Sequence, residues 1–130
     1  MRHQRSNASQ PARLPSSGLS CALQNSLRGL MHVVRSERAV RQEIIALAVG
    51  IPSAVIMSEH CWTRVALIGV LLLVIVAELL NTAIEKLCDH VTPTRHPDIG
   101  RVKDIGSAAV LGTLCLAALV WGNALFCVGS

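Results

Sequence analysis

The chain has 130 residues, 52% of them hydrophobic and only 15% charged, with no Tyr and one Phe, and its apolar residues come in long blocks, a membrane composition with room for one compact bundle. A soluble domain of this length would need a polar face on every helix, and the later blocks offer none. The formal charge of +4 arises mostly before the first acid, Glu37, but that basic start is not interleaved with aromatics and leads into a lipophilic chain, which argues against nucleic-acid binding.

Residues 1–18 contain Arg2, Arg5 and Arg13 among Ser, Pro and Gln; they lack the apolar core of a secretory signal and read as a disordered basic tail. From Leu19, the residues Leu23, Leu27, Leu30, Val33 and Val34 recur at helical spacing with Arg28, His32 and Arg35 between them, which predicts an amphipathic helix over 19–38, lying on a membrane surface or packed on the bundle. Ile44 to Ser58 is uncharged but short, with Pro52 inside it, so a first span over 40–58 must borrow its first turn from Val40 to Glu43. Arg41, Gln42 and Glu43 then sit at the headgroup level and face the protein interior. A second span is predicted over 62–88, long enough to cross with a tilt. A third covers 104–128, where Ile105 to Val128 carries no charge. Its small residues Gly106, Ser107, Ala108, Ala109 and Gly112 read as a surface for close helix packing. Basic residues concentrate in the N-terminal arm and, as Arg95, Arg101 and Lys103, in the 89–103 connection, which places both on the cytoplasmic side. Five cysteines at 21, 61, 88, 115 and 127 form no CxxC pair, which argues against a disulfide framework or a zinc site; they read as small core hydrophobes.

The second span carries the most informative feature. An unbroken apolar run from Val65 to Ala77 meets Glu78, and the chain continues Leu-Leu-Asn-Thr-Ala-Ile to Glu85 and on to Asp89. At about 100° per residue, Asn81, Glu85 and Asp89 each lie within about 60° of Glu78, so three carboxylates and an amide share one stripe. An acid within a membrane-length segment costs about 2.5–3.5 kcal/mol at the helix centre and marks a functional site by default. The remaining unexplained polar groups lie at the same face: Glu37, Gln42 and Glu43 enter the first span, and Lys103 and Asp104 enter the third. Carboxylates on separate helices can share Mg²⁺ with substrate phosphates, and a lysine beside them supplies a positive charge for phosphate. Glu78 lies about 10 Å deeper along the helix than Glu85 and so meets a lipid-soluble substrate. The alternative is that these acids and Lys103 form interhelical salt bridges. No GxxxxGK[ST] or GxGxxG phosphate loop is present.

The strings Glu78-x-x-Asn81-x-Ala83-Ile84-Glu85-x-x-x-Asp89 and Lys103-Asp104-x-Gly106-Ser107-Ala108-Ala109-Val110, with Glu37 and Arg41-Gln42-Glu43 upstream, resemble the prokaryotic diacylglycerol kinase family over about residues 20–128. The resemblance implies an all-α inner-membrane homotrimer of three-span subunits with an N-terminal surface helix and a cytoplasmic N-terminus. It implies transfer of the γ-phosphate of MgATP to diacylglycerol at a site shared between subunits. Glu78 is then the catalytic base, supported by Asn81, and Glu37 and Glu85 hold Mg²⁺ on the nucleotide. Asn25, Thr94, Arg95, His96, Lys103 and Asp104 join those two glutamates in binding ATP. Ala39, Arg41, Gln42, Glu43, Glu78 and Ser107 contact the lipid. Related enzymes of the same architecture phosphorylate undecaprenol; the Gly-Ser-Ala-Ala-Val string at 106–110 favours the diacylglycerol type, and Ser107 could bond a glycerol or ester oxygen that a polyprenol lacks. A small oligomeric transporter with an intramembrane Glu is the reading of a different class, and it leaves Asn81, Glu85, Lys103 and Asp104 without a purpose.

Overall fold

In a computed structural model of the chain, residues 18–92 and 96–129 are described. They form four helices: α1 Leu19–Ser36, α2 Arg38–Met57, α3 Cys61–Val91 and α4 Pro97–Gly129. The chain divides into two units, one ending at Met31 and one beginning at His32. In the first, α1 begins after Gly18, whose carbonyl accepts the Cys21 N–H at 2.9 Å. Leu19, Leu23, Leu27 and Leu30 leave an apolar row exposed along it.

The second unit holds the three helices that are long and apolar enough to cross a membrane. The chain leaves α1 through Glu37, a single extended residue at φ −107° and ψ 126° that precedes the first turn of α2. Its N–H closes the last turn of α1 on the Val33 carbonyl at 2.8 Å. Inside α2, Pro52 has no N–H to give the Ala48 carbonyl, and the next residue adds a side-chain bond, Ser53 Oγ donating to the Val49 carbonyl at 2.8 Å. Ser58, Glu59 and His60 form the link to α3, too short for anything but an antiparallel return. It is tied by Arg64, whose Nε donates to the Ser58 carbonyl at 2.6 Å.

α3 is the middle helix, packed on both neighbours, while α2 and α4 touch only slightly. Ala54, Leu67 and Ala124, one from each helix, form a small core at one end. There the Trp121 Nε1–H donates to the Leu67 carbonyl at 3.2 Å, and the indole lies over Gly50 of α2. Val40, Val70, Val74 and Ile75 are buried as well, but many large apolar side chains, among them Ile45, Val49, Leu72, Leu80, Leu111 and Leu119, are exposed on the outside of the three-helix unit, the arrangement of helices whose solvent is lipid. At 1.5 Å per residue α2 is about 30 Å long and just matches a hydrocarbon core, whereas α3 and α4 are each longer by about 15 Å or more. Both helices therefore continue past the apolar segment at the end where α2 begins. α4 starts seven residues before Asp104, since Pro97 suits the first helical turn and Asp98 the helix dipole.

Two packing expectations are corrected here. Of the described cysteines only Cys88 is buried, and Cys61 and Cys115 are exposed, because a thiol is apolar enough to face lipid. Within the small-residue run of α4, only Gly106 is approached closely, and Gly112 has open space where a Cβ would go; α3 crosses α4 at Gly106, and the rest of the run lies on the uncovered side.

Leu67 is fully buried and Leu119 is 71% exposed, which separates packing from lipid contact. Leu67→Ala is expected to destabilise the folded protein by about 2–5 kcal/mol, and Leu119→Ala by no more than about 0.5 kcal/mol, both read from reversible unfolding in mixed detergent micelles.

Candidate functional site

Antiparallel packing brings the start of α2, the end of α3 and the start of α4 to the same end of the unit. α3 contributes its polar stripe. Asn81 is buried, only 7% exposed, and its Nδ2 donates to Glu85 Oε1 at 3.0 Å, one helical turn on. The amide oxygen has no partner and is buried. Gly106 of α4 lies directly against it: a Cβ there would collide with Asn81 Oδ1. The glycine is what lets α4 close over the amide.

The carboxylates gather around Glu78. It feels the charges of Glu85 on its own helix and of Glu37 at the start of α2, and its own charge acts on Glu43. Glu43 is half-buried and its Oε2 is a second buried acceptor without a partner. Four acids from two helices thus share one region together with an orphaned amide oxygen. All are hard oxygen donors, the ligand type that Mg²⁺ takes, commonly one or two carboxylates alongside phosphate oxygens. Among the described residues no three His, Cys, Asp or Glu side chains form a group able to hold a metal ion by themselves.

Two lysines border the cluster. Lys103 of α4 pairs with Asp89 of α3, so the α3–α4 salt bridge that the sequence left open as an alternative is present, and the charge of Glu85 also reaches this lysine. Lys86 donates to Glu37 Oε1 at 2.9 Å. That bond draws the Glu37 carboxylate away from the first turn of α2, where it makes no capping hydrogen bond. The Lys86 ammonium holds the Glu37 carboxyl below its usual range, outweighing a smaller upward push from burial, with the Ser36 hydroxyl and His32 assisting.

The other predicted site residues scatter. Arg41 and Gln42 are exposed rather than turned to the interior, because the α2 face toward α3 is set by Val40, Gly50 and Ala54; Arg41 Nη1 instead donates to the Arg35 carbonyl at 3.4 Å. Ala39 is half-buried, and Asp104 and Ser107 are exposed on α4. His96 accepts the Asp98 N–H on Nδ1 at 3.3 Å, ahead of the first turn of α4. Asn25, in the first unit, donates weakly to Cys21 Sγ at 3.9 Å. Thr94 and Arg95 lie outside the described residues. A cleft of about 890 Å³ lies at the opposite end, between Met57, His60, Trp62, Leu119 and Asn123, and none of the four acids lines it. Sequence reasoning missed Lys86, which occupies an unassigned position of the α3 motif and whose partner is 49 residues away. It also gave Gly106 a general packing role, where its neighbour is the Asn81 amide.

A family model described as prokaryotic diacylglycerol kinase matches residues 24–125, a stretch that contains every candidate residue from Asn25 to Ser107. The chain is similar to a diacylglycerol kinase of Haemophilus influenzae, 39% identical over 78% of this chain and 86% of the relative. It is also similar to diacylglycerol kinases of Escherichia coli K12, 38% identical over 74% of this chain and 79% of the relative, and of Pseudomonas aeruginosa, 38% identical over 77% of this chain and 81% of the relative.

The Glu37–Lys86 pair sets a pH dependence. A carboxyl whose pKa is lowered by folding contributes stability that is present above its unfolded pKa and lost as pH falls through the lowered folded value. A ¹³C titration of the Glu37 carboxyl in the micelle-bound protein is expected to give a midpoint below the ordinary glutamate range, and Lys86→Met is expected to move it upward.

Proposed function

The chain belongs to the prokaryotic diacylglycerol kinase family and is a diacylglycerol kinase, and from that premise we propose how its residues divide the reaction. The γ-phosphate of ATP passes to the free hydroxyl of sn-1,2-diacylglycerol, giving phosphatidic acid and ADP. The carrying observation is the gathering of Glu37, Glu43 and Glu85 around Glu78, on the helix that also carries the buried, unpartnered Asn81 oxygen, where three apolar helices turn polar.

Glu78 is the general base. It stands about 10 Å deeper in α3 than Glu85, at the depth where the hydroxyl of a membrane lipid arrives, and takes the hydroxyl proton as the oxygen attacks the γ-phosphorus. Asn81 fixes Glu85 through its 3.0 Å bond and keeps its oxygen toward the reacting groups. Glu37 and Glu85 hold Mg²⁺ that enters on the nucleotide, a reading supported by their hard-oxygen donor set. When bound, the ion neutralises phosphate charge. Lys103 and Asp104, with Asn25 and the Thr94-Arg95-His96 segment, hold the nucleotide. Ala39, Arg41, Gln42, Glu43 and Ser107 contact the lipid. Positioning and charge neutralisation, with no covalent enzyme intermediate, are what phosphoryl transfer asks of these groups.

The protein is a membrane enzyme. Its seat is the bacterial inner membrane, with spans over 40–58, 62–88 and 104–128, the N-terminus cytoplasmic by the positive-inside rule, and the leucine row of α1 on the membrane surface. It works as a homotrimer with a site shared between subunits; the exposure of Asp104 and Ser107 on a single chain supports a second chain facing them.

The test is transfer from γ-labelled ATP by the purified, reconstituted protein, with diacylglycerol and undecaprenol offered side by side. Label is expected in phosphatidic acid, and Glu78→Gln is expected to lower kcat by about 10²–10⁴-fold with helix content unchanged. Label in undecaprenyl phosphate would overturn the acceptor, and an active Glu78→Gln would overturn the base.

A further inference from the structure

We propose that Lys86 is a tethered counter-ion for the metal-binding end of the site: its ammonium occupies Glu37 in the nucleotide-free protein and is exchanged for the divalent cation when the metal–nucleotide complex enters. This rests on the reading that Glu37 is a metal ligand. Four carboxylates share the cluster, and among the described residues Lys86 is the only basic side chain in an ion pair with any of them; Lys103 is engaged with Asp89, and Arg101 with Asp98. The contact crosses from α3 to the start of α2, so it also holds the two sides of the acidic cluster together while no other cation is bound.

An ammonium and a divalent cation repel each other strongly at the separation a shared carboxylate imposes. One of them has to leave. The lysine can do so without disturbing the helix, since it has a flexible four-carbon stem and its side chain is 48% exposed. Swung off Glu37, it remains one residue beyond Glu85 with its charge next to the arriving phosphates. Lys86 is therefore a positioning residue that acts through Glu37. Because the pair is partly solvated, its displacement weakens metal binding only modestly, by about two- to five-fold, the range of exposed ion pairs.

The experiment measures Mn²⁺ binding by electron paramagnetic resonance in the full-length reconstituted protein saturated with the non-hydrolysable β,γ-methylene analogue of ATP. Lys86→Met is expected to tighten Mn²⁺ about two- to five-fold, with Lys86→Gln behaving alike and helix content unchanged. Arg101→Met removes the same charge from a neighbouring exposed pair and is expected to leave the affinity where it was. Glu37→Gln is expected to weaken binding. Unchanged or weaker Mn²⁺ binding in both Lys86 variants, with Glu37→Gln still weakening it, overturns the counter-ion role alone. Equal tightening in Arg101→Met reduces the effect to net charge and overturns it as well. Undiminished binding in Glu37→Gln overturns the assignment of Glu37 and the counter-ion role together.

Discussion

The contact between Gly106 and the Asn81 amide governs how the polar end of this protein is built. A helix in lipid has no water to satisfy an amide or a carboxylate, so a polar stripe on α3 has to be covered by protein or carried out of the hydrocarbon. Both solutions are used. α3 and α4 run on past the apolar length of α2, which lifts Glu85, Asp89 and Lys103 toward water, while Asn81, still at depth, is closed over by the one residue of α4 that meets it without a side chain. Any Cβ at 106 would force either the helices apart or the amide out of its bond to Glu85.

The same constraint explains why the acids tolerate one another. Charges of like sign gathered at a membrane face need cations, and the protein supplies two from the surrounding helices, Lys86 to Glu37 and Lys103 to Asp89. Neither reaches Glu43 or Asn81, whose buried oxygens remain without partners. Unsatisfied acceptors at depth lower stability, and under the proposed division of the reaction they have a use, since the substrates would bring the partners these oxygens lack.

Much of this was legible in the chain itself. The apolar blocks and their charged borders define three long helices, and the Glu78-to-Asp89 spacing defines a stripe, because both depend on local periodicity. The convergence of Glu37 and Glu43 on Glu78 follows from antiparallel packing of short-linked helices. What could not be read is pairwise and long-range. Lys86 and Glu37 are 49 residues apart, and nothing in the sequence says which carboxylate a lysine will choose. Counting Val40 to Glu43 as the first turn of the span puts Arg41 and Gln42 inside with Glu43, yet helix rotation, fixed by Val40, Gly50 and Ala54, leaves them outside. Cys61 and Cys115 faced the opposite difficulty: in a lipid-solvated bundle an apolar residue is as content outside as in, so hydrophobicity alone does not identify the core.

Trp121 joins all three helices at the far end, bonded to α3 and seated over Gly50 of α2, while at the polar end Val40 of α2 is fully buried and Gly106 of α4 lies against the Asn81 amide, with the ion pairs on the outside. The unit is thus fastened at both ends, by an indole at one and by a glycine closed over an amide at the other. From Gly50 to Glu37 is about 20 Å of helix at 1.5 Å per residue, so a tilt of about 5° at the Trp121 end would have to move Glu37 by about 2 Å. Val40, fully buried between Glu37 and Glu43 in the sequence, resists such a tilt, so packing rather than charge keeps the start of α2 in place against α3.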